Sequence, residues 1–235
     1  MLSIVTGTLN RRHILEGLIR NTVDAWDKLE LVLVDGGSTD GTIELLKNLN
    51  HPRIKLIEVG QRSPYWHYMN LGVKASSYEY VCQWNDDALM TNDWRDVFEQ
   101  TKNWDVSLFS WQHGDFGRHY PNSWNICCYF EGPGLIPELG NEVVMNYGIY
   151  KKDVFRKAGL YNNAYYYYCA DGDMSFRAWT FGFTVKPFPD IKVIRLISEM
   201  ENKRAINRHD DFQIYASFLK KYRNKIMPEN IEFLE

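Results

Sequence analysis

Three acidic clusters stand where a chain could do chemistry. VCQWNDDALM (81–90) puts Asp86 and Asp87 side by side after a β-rich run. Two adjacent carboxylates at the end of a buried strand repel each other and lose hydration unless a cation sits between them. An oxygen-rich site of this kind suits Mg2+ or Mn2+, which bind through few protein carboxylates plus substrate phosphates. The plain alternative is that one of the pair caps the next helix. VDGGSTDGT (34–42) aims Asp35 either at a ligand donor or into its own tight turn. In CADGDMSFRAW (169–179), Asp171 and Asp173 precede a helix carrying Arg177, four residues after Asp173 and so on its face. A carboxylate here can be a general base beside a reacting hydroxyl, or simply a favourable charge at a helix N-terminus.

These clusters need elements to hold them. Leu2–Thr6 is a short β-rich run, and 11–26 carries Ile14, Leu15, Leu18, Ile19 and Val23 at helical spacing. Strands follow at Leu31–Val34, Ile54–Val59, Tyr80–Trp84 and Val106–Trp111, with helices at Thr42–Leu49, 66–75 and from Thr91–Asp93 onward. Strands alternating with helices imply βαβ units and a parallel sheet, with ligands beyond the carboxyl ends of the strands. Asp35 and the Asn85–Asp87 turn fall at that edge. Residues 112–150 show little periodicity, and regular patterns return at 151–160, 173–182 and 208–224. No internal repeat and no linker divides the chain.

Composition narrows the class. The 235 residues carry 27 Lys+Arg against 30 Asp+Glu, which argues against a general nucleic-acid binder. No apolar stretch approaches the ~20 residues of a membrane span. The N-terminal apolar run precedes its basic residues, the reverse of a secretory signal. Four cysteines without a CxxC pair suggest a reduced, cytoplasmic compartment. Aromatic residues reach 15%, enough to build a ring-rich core or a surface that stacks on sugars and bases. Neither GxGxxG nor GxxxxGK[ST] occurs, which disfavours a dinucleotide site and a P-loop. Residues 186–225 hold ten Lys/Arg against five Asp/Glu, either a solvated helix face or a surface for peripheral contact with an anionic membrane.

In order and spacing, the motifs from about residue 2 to 190 resemble the GT-A fold glycosyltransferases, specifically the large family two. Thr8-Leu9-Asn10-Arg11 is similar to its Thr-Tyr-Asn-Arg turn. Its DDGSxDGT turn matches Asp35–Thr42, with Val34-Asp35 in place of the two acids, and its DXD motif falls on Asn85-Asp86-Asp87. NYGIYKKDVFRKAGLYN (146–162) looks like the stretch before the family's catalytic acid, whose Glu-Asp pair falls on Ala170-Asp171. Two acids have therefore become Asn85 and Ala170.

The resemblance implies an α/β, GT-A (Rossmann-like) single domain over 1–235, with a mainly parallel central sheet flanked by helices and a smaller acceptor-side region. Residues 1–111 would be the nucleotide-sugar half, and 112–235 the acceptor and catalytic-base half. It implies inverting transfer of a sugar from a nucleotide-diphosphate sugar, by default UDP-linked, to a glycan or other acceptor hydroxyl. Thr6, Thr8, Asn10, Asp35, Arg62, Asn70 and Asp86 would line the donor. Asp87, with His209, would hold Mn2+ or Mg2+, and Asp171 would be the base. Trp111, Tyr147, Gly148 and Asp173 would face the acceptor, with His113, Tyr120, Trp124 and the Tyr165–Tyr168 run nearby. The competing readings are a catalytically silent nucleotide- or glycan-binding member, or a retaining transferase or nucleotidyltransferase.

Overall fold

The computed structural model describes residues 1–113, 147–166, 168–196 and 209–235, without the side chains at 111–113, 189, 195, 209, 210 and 212. The first half alternates as its periodicity demands. It runs β1 (Leu2–Thr8), α1 (Arg12–Asn21), β2 (Leu29–Asp35), α2 (Thr42–Leu49), β3 (Ile54–Glu58), α3 (Tyr65–Ala75) and β4 (Tyr80–Gln83). Then come β5 (Ala88–Met90), α4 (Trp94–Thr101), β6 (Val106–His113), β7 (Gly148–Lys151), α5 (Lys152–Lys157), α6 (Ala170–Thr180), β8 (Val185–Arg195) and α7 (His209–Arg223).

β2 reads LELVLVD and is buried along its whole length, as expected of a strand covered on both faces. α1 buries Leu15, Leu18 and Ile19, the stripe its spacing predicts, and ends at Asn21 rather than at 26. There the Thr22 hydroxyl turns back to the Leu18 carbonyl at 2.7 Å. α3 lies directly on the sheet. A Cβ at Gly72 would stand 2.2 Å from Val5 Cγ1, so only glycine permits that approach.

The eight strands form one mixed sheet in the order β3-β2-β1-β4-β7-β6-β8-β5. β3, β2, β1 and β4 are mutually parallel, and β6 pairs in parallel with β8. β7 is wedged antiparallel between β4 and β6, and β5 runs antiparallel to β8. The expected parallel sheet is thus present but carries two antiparallel strands. β5 and β8 go beyond the sequence reading. Two prolines in VKPFPDIKVIR hid β8, which keeps its pairing with β6 through a register shift at Phe109/Ser110.

Only residues 84–87 link β4 to β5, although three strands stand between them in the sheet. A flat sheet would separate the two by about 19 Å, against the roughly 17 Å that such a link spans fully extended. The sheet therefore curls until β5 returns to α1, where the Asn21 side chain bonds the N–H and carbonyl of Met90 at 2.7 and 2.9 Å.

Two apolar clusters fill the two faces. One centres on Val5, Val32, Tyr150, Phe155 and Met174, the other on Ile4, Leu31, Trp84, Phe109 and Val193. Most of the described aromatic residues pack in these clusters, which accounts for the ring-rich composition.

Candidate active site

The carboxyl ends of β1, β2 and β4 form one edge, and side chains from separate turns lock it. Asp35, fully buried, accepts the N–H groups of Gly37 and Ser38, each at 2.8 Å, and the Ser38 hydroxyl. Asn10, at φ +54, donates its N–H to Ser38 Oγ at 2.8 Å and accepts the Thr39 N–H at 2.8 Å. Asp40 caps α2 through the Thr42 N–H at 3.0 Å and also accepts the Arg12 N–H at 3.0 Å. Burial alone would raise the Asp40 carboxyl, but these bonds and that of the Thr42 hydroxyl hold it below its ordinary value. Asn10 and Asp40 thus fix the two loops to each other, while Asp35 holds the turn that follows β2.

Thr6 and Thr8 lie beside this lock on β1. The Thr6 hydroxyl donates to the Gly7 carbonyl at 3.0 Å. Thr8 Oγ1 is buried without a hydrogen-bond partner among the described residues. The loop after β3 closes against the same turn, since a Cβ at Gly36 would lie 3.6 Å from the Arg62 Cα.

The 84–87 turn carries the adjacent acids. Trp84 N–H returns to the Val5 carbonyl at 3.0 Å, and the Asp87 carbonyl accepts the Leu196 N–H at 2.8 Å. The turn is therefore tied to β1 on one side and to the end of β8 on the other. The Asp86 side chain is 13% exposed and faces Arg11 Nε at 3.8 Å, while Asp87 is 3% exposed. Asn85 donates to the Tyr147 hydroxyl at 3.1 Å. Among the described residues no group of three or more His, Cys, Asp or Glu converges as a metal site. Two neighbouring Asp carboxylates on a strand-end turn still fit a hard divalent cation whose other ligands are phosphate and water.

α6 begins at Ala170, so Asp171 and Asp173 lie inside its first turn rather than before it. The preceding residue, Cys169, is held at φ +67. Asp171 is 8% exposed, and its Oδ1 accepts the Gly172 N–H at 3.0 Å. Burial pushes the hydroxyls of Tyr65, Tyr150, Tyr161 and Tyr215 above the ordinary tyrosine value, and the Asp171 charge adds to this at each of them. The Asp171 charge is thus felt at four buried tyrosine hydroxyls. Of these, Tyr161 reaches the strand edge, where its hydroxyl donates to Gln83 Oε1, at the end of β4, at 2.6 Å.

The remaining candidates divide. Asn70 is buried and spent on Tyr161, donating to its carbonyl at 3.0 Å and accepting its N–H at 2.9 Å. Asp173 is fully buried: it accepts the hydroxyls of Tyr165 and Tyr222 at 3.0 and 2.6 Å and faces Arg177 at 3.5 Å. Burial raises its carboxyl, against the opposing pull of Arg177 and the two tyrosines. As placed, Asp173 joins α6 to α7 and has no open side. Gly148 lies within the sheet, where a Cβ would meet the Ser107 carbonyl at 2.6 Å. Tyr147 is 1% exposed and stacks edge-on against Trp84 at 5.2 Å. Trp111 stands in β6 and His209 opens α7, but both side chains, like His113, Tyr120, Trp124 and Tyr167, lie outside the described residues.

Sequence reasoning passed over Arg11, Gln83, Tyr161 and Asp211. Arg11 stood inside the quoted Thr-Leu-Asn-Arg turn. The other three become visible only once strands and helices distant in sequence meet.

A family profile described as "Glycosyl transferase family 2" matches residues 3–159. Among curated proteins none matches. Similar solved structures include the mannosyltransferase PcManGT from Pyrobaculum calidifontis in complex with GDP-Man and Mn2+, at 18% identity and TM-score 0.63, over 97% of this chain and 65% of that one. S. aureus TarS 1-349 in complex with UDP-GlcNAc aligns at 17% identity and TM-score 0.68, over 97% of this chain and 68% of that one. Against the longer TarS structure this chain spans 44% of the length, at TM-score 0.66 and 16% identity. At these identities the likeness establishes the GT-A fold.

Proposed function

The chain belongs to glycosyl transferase family 2, and from that premise we propose that it moves a sugar, with inversion, from a UDP-sugar to a hydroxyl of a glycan or other acceptor. One observation carries this reading. The Asp171 carbonyl accepts the Ser175 hydroxyl at 3.1 Å, Ser175 bonds the Tyr150 hydroxyl at 3.0 Å, and Tyr150 in β7 pairs with Val81 of β4, the strand that runs into the Asn85–Asp87 turn. This linkage supports a general base and a leaving-group site that work at the same strand end. The fold neighbours solved with UDP-GlcNAc and with GDP-Man and Mn2+ support a nucleotide-sugar donor.

Thr6, Thr8 and the Asn10–Asp35 lock form the nucleoside floor, Thr8 offering its buried hydroxyl to the ligand. Arg62, Asn70 and Asp86 border the ribose and diphosphate, with Asn70 acting through the Tyr161 backbone that it holds. A divalent cation, Mn2+ or Mg2+, at Asp87 and His209 would stabilise charge on the departing diphosphate as a Lewis acid. Asp171 takes the acceptor hydroxyl's proton as the oxygen attacks the anomeric carbon. The sugar–phosphate bond breaks, and its electron pair leaves with the nucleoside diphosphate. One in-line displacement needs one base and no covalent nucleophile. Tyr147 and Gly148 lie on the acceptor side, residues 112–235, of a single domain, with Trp111 at its boundary.

Among the described residues no helix is long and apolar enough to cross a membrane. Lys220, Lys221 and Arg223 in the last turn of α7 support peripheral contact with an anionic membrane from the cytoplasmic side.

A second reading, a silent nucleotide- or glycan-binding member, is favoured by Asn85 and Ala170 standing where the family has acids. A thermal-shift panel of UDP, GDP, dTDP and CMP, each with and without Mn2+, separates the two when paired with product detection. Stabilisation by UDP that grows with Mn2+, together with release of UDP from a UDP-sugar, supports the transferase. Stabilisation without turnover supports the silent member, and no stabilisation by any nucleotide removes the donor assignment.

A further inference from the structure

α7 reaches back over the loop that leads into α6. Asp211, in its first turn and 4% exposed, accepts the Tyr166 N–H at 2.8 Å through Oδ1 and the Tyr168 N–H at 2.9 Å through Oδ2. A buried carboxylate spent on two backbone N–H groups makes charge-assisted bonds, roughly twice as strong as neutral ones. The same loop is fixed from two other sides. The Tyr166 carbonyl accepts the Tyr65 N–H at 3.4 Å, and the Tyr165 hydroxyl donates to Asp173 at 3.0 Å.

Directly after the clamped residues the chain passes through Cys169 at φ +67. A left-handed conformation at a residue with a side chain persists only where its surroundings over-determine it, and such sites cluster where geometry matters to function. Asp171 follows two residues later, and the first bond of α6, from the Asp173 N–H to the Cys169 carbonyl at 2.8 Å, closes over it. The direction in which α6 starts, and so the place of the Asp171 carboxylate, depends on this turn.

We propose that Asp211 is a positioning residue for Asp171: its paired bonds to the Tyr166 and Tyr168 N–H groups hold the loop that forces the Cys169 turn and sets the base at the strand edge. This rests on the glycosyl-transfer reading given above. Asp211 acts through the Tyr166 and Tyr168 backbone. Because His209, proposed above for the cation, opens the same helix two residues earlier, nucleotide binding is read without metal, and there it is expected to stay intact while turnover falls.

The experiment compares the whole chain with Asp211→Ala and Asp211→Asn. It reads amide hydrogen exchange by mass spectrometry, UDP affinity in EDTA by calorimetry, and kcat and KM for transfer from a UDP-sugar. Asn keeps one acceptor and presents a donor to the second N–H, so its effects are intermediate. The expected result is exchange over 165–173 faster by about tenfold or more in Asp211→Ala, with β1–β4 unchanged and UDP affinity within about twofold. kcat falls about 10- to 100-fold, the scale of a small misplacement of a catalytic group.

Unchanged exchange over 165–173 overturns the clamp. Faster exchange with kcat preserved overturns the positioning role. Parallel loss of nucleotide binding and kcat, or failure of both variants to fold, makes Asp211 a general fold determinant and overturns the proposal as well. A parent chain that transfers nothing from any donor overturns the glycosyl-transfer reading and the role of Asp171 with it. The exchange data then still report whether the clamp exists.

Discussion

The Asn85 side chain donates to the Tyr147 hydroxyl at 3.1 Å, joining the turn after β4 to the residue that leads into β7. An Asp at this position would keep the contact with the direction reversed, the tyrosine donating. It would also add a negative charge beside Asp86 and Asp87. Asn85→Asp is expected to tighten Mn2+-dependent UDP binding on the order of tenfold, because carboxylate count tunes affinity for hard cations. Calorimetry in a Mn2+ titration checks this, and unchanged affinity would mean that position 85 lies outside the cation's field.

Asp171→Asn removes the proposed base while keeping the shape of the side chain. kcat for transfer should fall by about 100-fold or more, the range that positioned proton transfer contributes, with UDP affinity little changed. A steady-state assay with a saturating acceptor decides it, and undiminished turnover would take the base assignment away from Asp171.

Asp87→Ala should make UDP affinity in Mn2+ equal to that in EDTA. In the parent chain, chelation alone should cost on the order of tenfold, or about 1.4 kcal/mol. Differential scanning fluorimetry with and without EDTA reads the difference, and a variant that still responds to Mn2+ would place the cation elsewhere.

Glu30, 4% exposed on β2, supplies a pH-dependent term. Burial pushes its carboxyl upward, but hydrogen bonds from Ser3 and Ser77 and the charge of Lys55 outweigh that and hold it below its ordinary value of 4.5. A carboxylate with a lowered folded value stabilises the protein above the unfolded value and loses that contribution as pH falls through the folded one. The melting temperature of the parent should therefore drop below about pH 4.5 more steeply than that of Glu30→Gln. At pH 7 the variant should be less stable by about 1–3 kcal/mol, since Ser3, Ser77 and Lys55 lose their charged partner. Parallel melting curves across pH 3–7 would remove Glu30 from the account.

Gly72→Ala places a methyl group 2.2 Å from Val5 Cγ1. Overpacking of this kind costs about 1–3 kcal/mol, and each kcal/mol lowers the melting temperature of a chain this size by about 2–4 °C. A thermal melt tests it, and an unchanged midpoint would show that α3 can shift away from β1.

The elements that periodicity describes were legible. β1, β2, β3, β4, α2 and α3 carry clean runs or stripes, and their local pattern agrees with their tertiary setting. β5 has only three residues, and β8 interrupts its run with Pro187 and Pro189, so neither is recoverable without its partner strand. The acidic motifs were legible as motifs, but their surroundings were not. Nothing in the spacing of Asn10 and Asp35 announces that Asn10 locks two loops together while Asp35 spends its oxygens on its own turn. Asp173 looks like an available carboxylate until Tyr165, Tyr222 and Arg177 close around it. Asp211 gains its meaning only from a loop more than 40 residues earlier, a separation no local pattern can encode.

The short link between β4 and β5 bears on the order of assembly. β1 to β4 can pair as soon as the first 83 residues exist, because their partners are near in sequence. Among the described residues β5 finds its strand partner in β8, about a hundred residues later, and such distant pairings form slowly because the intervening chain must first be closed. The Asp87 carbonyl likewise waits for Leu196. During synthesis, which proceeds from the N-terminus, the turn bearing Asp86 and Asp87 is expected to stay slack until the β8 segment has emerged. Completion of the candidate leaving-group site would then mark the moment at which the two halves of the chain have met.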